Sequence, residues 1–155
     1  MEADLHNLVR LLESTFNKGA WHGPSVMETL ETVSVKQAFN RLAGTHSIIE
    51  LVAHMTAWRR YILKKLSGDH TFKMTEELNF PAPQDWCMAV KELEETQHQL
   101  VAAFRSFPAC QLYERVAWTE QPFTYYSIFH GIIHHDLYHI GQINLIRKAT
   151  PEQSF

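Results

Sequence analysis

Apolar residues recur at intervals of three and four along four long stretches of the chain, which is the spacing of one face of an amphipathic helix. The stretches cover residues 4–18, 45–66, 86–107 and 124–149. We find no convincing run of alternating apolar and polar residues of the kind that a half-buried strand shows. The pattern therefore predicts an all-α protein.

Residues with known preferences at helix ends support these boundaries. Gly19 suits the left-handed position that follows many helices. Ser47 with Glu50 three residues later fits a capping box at the start of the second stretch. Asp85 is a typical N-cap for the third stretch, which Pro108 closes, and Pro151 follows the fourth.

The connection between the first two long helices, residues 19–44, is too long for a simple hairpin. It contains turn residues and two candidate short helices, one ending near Thr32 and one capped by Ser34. We therefore expect a four-helix bundle with a long crossover connection after the first helix. The 155 residues fit a single domain, so we expect one bundle over residues 1–155.

Composition excludes several classes of partner. The formal net charge is -3 and no basic run is present, which argues against nucleic-acid binding. No apolar run approaches the ~20 residues of a membrane span, so we expect no membrane association. The N-terminus lacks the pattern of a signal peptide, and the two cysteines form neither a disulfide framework nor a paired-cysteine site. These features predict a cytoplasmic protein with reduced thiols.

Four of the ten histidines lie in the last predicted helix as two pairs, His130 with His134 and His135 with His139. Members of each pair are four residues apart, so they share a helix face and can reach one metal ion. Isoleucines share the face of His135 and His139, which should point into the core, whereas the other pair lies on a more mixed face. The alternatives for a buried pair are hydrogen bonds to core carbonyls or a subunit interface.

A fifth histidine, His54, lies in the middle of the second long helix among apolar neighbours. A lone histidine there is more often a hydrogen-bonded core residue, but opposite a facing histidine pair it becomes a candidate third ligand. We therefore predict a divalent-metal site of His54, His135 and His139. Three protein ligands leave a coordination position open, as in catalytic metal sites.

Three neighbouring residues are candidates for catalytic roles, each with a structural alternative. Glu50 is either a general base or hydrogen-bond acceptor near the site, or a helix-capping carboxylate. His22 lies in a predicted turn, where it either reaches the open metal position or is simply exposed. Gln142 either binds a ligand ring or a bound water, or makes a polar contact between helices.

Three segments resemble the DinB-like (YfiT-type) superfamily: WHGP at 21–24, SIIELVAHMTAW at 47–58 and HDLYHIGQI at 135–143. The resemblance implies a four-helix bundle with an unusual crossover order, commonly a homodimer. It also implies a nickel or zinc ion on the residues matching His54, His135 and His139.

The resemblance leaves the reaction open, since membership alone is analogy. Some relatives are S-transferases or isomerases that use bacillithiol, mycothiol or glutathione, and others are described as hydrolases. We therefore expect a metal-dependent thiol S-transferase or a hydrolase acting on a small molecule, with a low-molecular-weight thiol as cosubstrate in the first case. The alternative is a non-catalytic metal- or ligand-binding bundle with a role in stress response.

Overall fold

Helices dominate the computed structural model, which describes residues 1–150. Seven α-helices lie in this range: α1 Glu2–Phe16, α2 Val26–Leu30, α3 Val35–Ala38, α4 Ile48–Leu66, α5 Glu76–Asn79, α6 Trp86–Ser106 and α7 Tyr125–Ala149. In the described part of the chain, β-structure is limited to one isolated bridge, between Arg115 and Thr124. The predicted all-α class is confirmed.

The observed boundaries follow the predicted capping residues closely. Ser47 precedes α4, and the Glu50 carboxylate accepts hydrogen bonds from the Ser47 backbone N–H and hydroxyl, at 2.7 and 2.6 Å. Asp85 caps α6 by accepting from the backbone N–H of Met88. The first helix begins and ends two residues earlier than predicted. Pro151, which the sequence places after the last helix, lies outside the described residues.

The segment between α4 and α6 differs from the prediction. Pro81 and Pro83 in this segment predict only a loop, whereas the structure places α5 before them, capped by the Thr75 hydroxyl. At four residues α5 is too short to produce a helical periodicity, so the spacing of apolar residues does not reveal it.

Packing between the long helices shows why the connection after α1 is long. Helix α1 packs against α6 and α7, and α4 packs against the same two helices. Because α1 and α4 both lie between α6 and α7, the chain crosses the structure from α1 to α4 through α2 and α3. The crossover connection predicted after the first helix is present.

A buried ion pair joins three of these helices. Arg59 of α4 and Asp136 of α7 are fully buried, with 2.6 Å between Arg59 Nη2 and Asp136 Oδ2. Arg59 also donates to the side chain of Gln97 on α6 and to the backbone carbonyl of Met55. These bonds hold α7 in a defined orientation against α4, which matters because the residue before Asp136 is one of the candidate metal ligands.

None of the helices within residues 1–150 has both the length and the apolar composition needed to cross a bilayer.

Candidate metal centre

Helices α4 and α7 bring three histidine rings together. His54 Nε2 lies 3.0 Å from His135 Nε2, which lies 3.1 Å from His139 Nε2. The potential ligand atoms of the three rings all lie within 4.8 Å of one another. Two of the rings come from successive turns of α7 and the third from the facing helix, as the sequence predicted.

Two of the rings have their other nitrogen fixed by an oxygen acceptor. His54 Nδ1 donates to the backbone carbonyl of Asn79 at 2.7 Å. His139 Nδ1 donates to the side-chain oxygen of Gln142 at 2.6 Å. A neutral imidazole carries one hydrogen, so the Nε2 atoms of both rings present lone pairs to the centre of the cluster.

The third ring does not satisfy both of those lone pairs. His135 Nδ1 is buried without a hydrogen-bond partner among the described residues. If the His135 hydrogen is on Nε2, it reaches only one of the other two rings, and if it is on Nδ1, all three Nε2 atoms present lone pairs. A cation among the three nitrogens satisfies all three lone pairs in the second case. Two ligands of a tetrahedral zinc ion lie about 3.4 Å apart, so the observed separations need little adjustment.

The surroundings keep the rings neutral. Burial lowers the pKa of His54, because a protonated ring loses hydration there. Burial and the neighbouring His139 and His54 rings lower the pKa of His135 to about 3. Burial lowers the pKa of His139 to about 4, although its bond to Gln142 acts in the opposite direction. Neutral imidazole is the form that binds metal ions, so the cluster is ready for a ligand at neutral pH.

One wall of the site is a stack of aromatic rings. Phe80 stacks on His54 with 4.0 Å between centroids, and His46 stacks on Phe80 with 3.7 Å. The Trp58 indole N–H donates to the Asn79 side-chain oxygen at 3.0 Å. Asn79 therefore holds both His54, through its backbone, and Trp58, through its side chain.

The three histidines open onto a cavity of about 650 Å³. Its walls are mainly apolar and include Trp58, Phe80, Phe123, Ile128 and Ile132. The volume is within the range of about 300–1,000 Å³ that is usual for small-molecule sites. The arrangement can hold a metal ion at one side of a space large enough for a small organic molecule.

The three candidate catalytic residues lie in different surroundings. Gln142 lines the cavity and bonds to His139. The carboxylate of Glu50 caps α4 and pairs with Arg41 at 3.1 Å, which matches its structural alternative. His22 is exposed in the turn before α2, and neither His22 nor Glu50 is among the described residues that line the cavity.

Sequence reasoning missed part of the site. Asn79, Phe80 and His46 form its wall, but Asn79 and Phe80 lie in a segment without helical periodicity, and nothing in the sequence pattern links His46 to the histidine cluster. Tyr138, which is not among the predicted site residues, lines the cavity with 65% of its surface exposed. Thr75 followed by two glutamates signals a helix start, but no local pattern marks a carbonyl that accepts from a ring 25 positions away.

Comparison with known protein families gives a match over most of the chain. The family model described as the DinB superfamily matches residues 21–143, which includes all three histidines of the cluster. No curated protein matches the sequence.

Proposed function

The chain belongs to the DinB superfamily, and we propose that it binds one divalent metal ion through the Nε2 atoms of His54, His135 and His139. The observation that carries the proposal is the convergence of these three nitrogens, of which two are fixed as lone-pair donors. Nickel and zinc, the ions that the family resemblance implies, are both well suited to imidazole ligands.

We further propose that the ion serves a reaction of a small molecule held in the cavity. The candidate reactions are transfer of a low-molecular-weight thiol to an electrophile and hydrolysis. When bound, a divalent ion with an open position acts as a Lewis acid and lowers the pKa of a water or thiol in contact with it.

The chain's own residues have three tasks in this scheme. Asn79 and Gln142 orient the His54 and His139 rings, because each accepts the hydrogen of the outer ring nitrogen. The apolar walls take up the body of the substrate and limit the access of water. His46 and Tyr138, the titratable lining residues outside the histidine cluster, are the candidates for proton transfer.

A non-catalytic ligand-binding role is the second candidate function. The observation that favours it is the chemistry of the walls: among the described lining residues there is no cysteine, carboxylate or lysine to act as nucleophile or strong base. The size of the cavity argues against a role limited to metal sequestration, since such a protein needs no space beside the ion.

The test begins with the metal content of the purified protein, measured by mass spectrometry. The metal-loaded protein is then incubated with a panel of thiols and electrophiles and with a panel of esters and amides. We expect turnover in one panel, and none with metal-free protein or with a His135→Ala variant. Metal binding without turnover in either panel supports the non-catalytic role, and protein that takes up no nickel or zinc contradicts the proposed site.

A homodimer, a cytoplasmic location and a single domain over residues 1–155 complete the proposal. Light scattering during size-exclusion chromatography tests the dimer, for which the expected mass is twice the 18.0 kDa of the chain.

A further inference from the structure

Within residues 1–150, no carboxylate side chain lines the cavity beside the three histidines. Among the described residues that line the cavity, none is aspartate, glutamate, lysine or arginine. The acceptors behind His54 and His139 are neutral amide oxygens, whereas many metal-binding histidines donate to a carboxylate. Three neutral rings with neutral acceptors contribute nothing to balance the charge of a divalent ion.

The nearest formal charges also fail to supply that balance. Arg59 acts on His135, but it is a cation and pairs with Asp136 inside the protein. The Glu50 carboxylate pairs with Arg41 and with the start of α4. A divalent ion on the three histidines therefore keeps both of its positive charges at the side of a mainly apolar cavity, whose described lining residues offer no compensating charge.

We propose that the cavity selects small anions with an apolar body, whose charged head lies against the three ring nitrogens and the cation that they hold. This inference deepens the proposed function and rests on the proposed metal binding. The anionic head is a thiolate or a carboxylate, either of which balances part of the charge of the ion.

The walls determine the rest of the ligand. Trp58, Phe80 and Phe123 offer aromatic surface, and Ile128 and Ile132 offer aliphatic surface. A second charge on the ligand finds no oppositely charged side chain among the described lining residues, so placing it inside the cavity has an uncompensated cost in desolvation. The cavity therefore selects against ligands that carry a second charge close to the anionic head.

Three probes, two carboxylates and one alcohol, test the proposal on zinc-loaded protein by isothermal titration calorimetry. The first is 3-phenylpropionate, which has one charge and an apolar body. The second is 3-phenylpropanol, which keeps the body and lacks the charge. The third is succinate, which is short enough to keep its second carboxylate inside the cavity. Zinc content is measured first, and metal-free protein is titrated in parallel.

We expect 3-phenylpropionate to bind the zinc-loaded protein at least about tenfold more tightly than either of the other probes, because each lacks one of the two features. The advantage over the alcohol should disappear in metal-free protein. Equal affinity for the alcohol or for succinate, or no binding of 3-phenylpropionate to loaded protein, overturns the inference while the proposed metal site stands. Protein that retains no zinc overturns the metal site and the inference with it.

A variant pair tests the role of wall charge directly. Phe123 and Phe39 are each 45% exposed, but only Phe123 is among the described lining residues. Phe123→Arg supplies a cation at the cavity, so succinate should bind about tenfold more tightly than to the unmodified protein, with zinc content unchanged. Phe39→Arg should leave succinate binding as it was. Equal succinate affinity in the two variants contradicts selection by wall charge.

Discussion

Two histidine pairs on α7 have the same spacing in sequence and the same closest distance between ring nitrogens. The inner pair, His135 and His139, has 3.1 Å between its Nε2 atoms. The outer pair, His130 and His134, has 3.1 Å between Nδ1 of the first ring and Nε2 of the second. The spacing of four residues brings the rings together in both cases, so it does not by itself distinguish a metal site from a surface pair.

The pairs differ in what lies opposite them. The inner pair faces α4, where His54 completes a group of three possible ligands, and His139 is buried. His134 is exposed. Among the described residues, neither member of the outer pair belongs to a group of three or more possible ligands. The comparison shows that a third possible ligand on the facing helix and a mainly apolar cavity beside it distinguish a candidate metal centre from two neighbouring rings.

The largest expected difference concerns metal content. Replacing His54, His135 or His139 singly with alanine should abolish or sharply weaken metal binding, because two remaining imidazoles hold a divalent ion much less firmly than three. Replacing His130 or His134 should leave metal content largely intact. Mass spectrometry of the five variants after identical purification measures the effect. If the outer-pair variants contain no metal while the inner-pair variants retain it, the assignment of the metal site to the inner face of α7 is wrong.

The orientation of the inner pair depends on the buried ion pair next to it. Asp136→Ala leaves Arg59 buried without its counter-ion, which should lower the free energy of unfolding by about 3–5 kcal/mol. Glu92→Ala is the matched control, because Glu92 pairs at 2.9 Å on the surface with Arg60, the residue after Arg59. Its loss should lower the free energy of unfolding by no more than about 1 kcal/mol. Urea unfolding of metal-free protein measures both, and equal midpoints contradict the role of the buried pair.

A smaller effect on metal affinity is expected from replacing Gln142, whose side-chain oxygen accepts a hydrogen bond from His139. Gln142→Leu removes the oxygen that orients the ring, and such losses typically reduce metal affinity about 10–100-fold. Among the described residues the outer pair joins no group of three possible ligands, so Asn144→Leu, on its face of the same helix, should change affinity little. Competition with a coloured chelator measures both affinities. Indistinguishable values mean that Gln142 serves only the packing of the helix.

The last expected effect is a gradual one, the dependence of folding on pH. In the unfolded chain the rings of His135 and His139 take up protons near pH 6.5, whereas in the folded metal-free protein they stay neutral down to about 3 and about 4. The unfolded state therefore binds more protons in this window, and the stability of metal-free protein should fall as the pH drops from 6.5 towards 4.

A His135→Asn/His139→Asn double variant should show a weaker dependence than a His130→Asn/His134→Asn variant. Thermal unfolding of the metal-free proteins across this pH range measures the difference. The same slope in both variants would show that buried inner rings do not determine the acid sensitivity.

The sequence by itself determined the all-α class, the positions of the four long helices and which histidine pair faces the core. These follow from local physics: a helix fixes which residues share a face, and the apolar stripe of Ile132, Ile143 and Ile146 decides which face is buried. Capping preferences of Ser47 and Asp85 located two helix starts because the capping groups are neighbours in sequence.

Only the tertiary structure decided the surroundings of the histidines. The carbonyl that orients His54 belongs to Asn79, and the ring that covers His54 belongs to Phe80, both about 25 positions away in a segment without periodicity. The use of Glu50 as a cap, and the absence of a charge in the described cavity lining, likewise depend on which side chains the packed helices bring together. Local propensity acts over a few residues, whereas these contacts join segments that only folding makes neighbours.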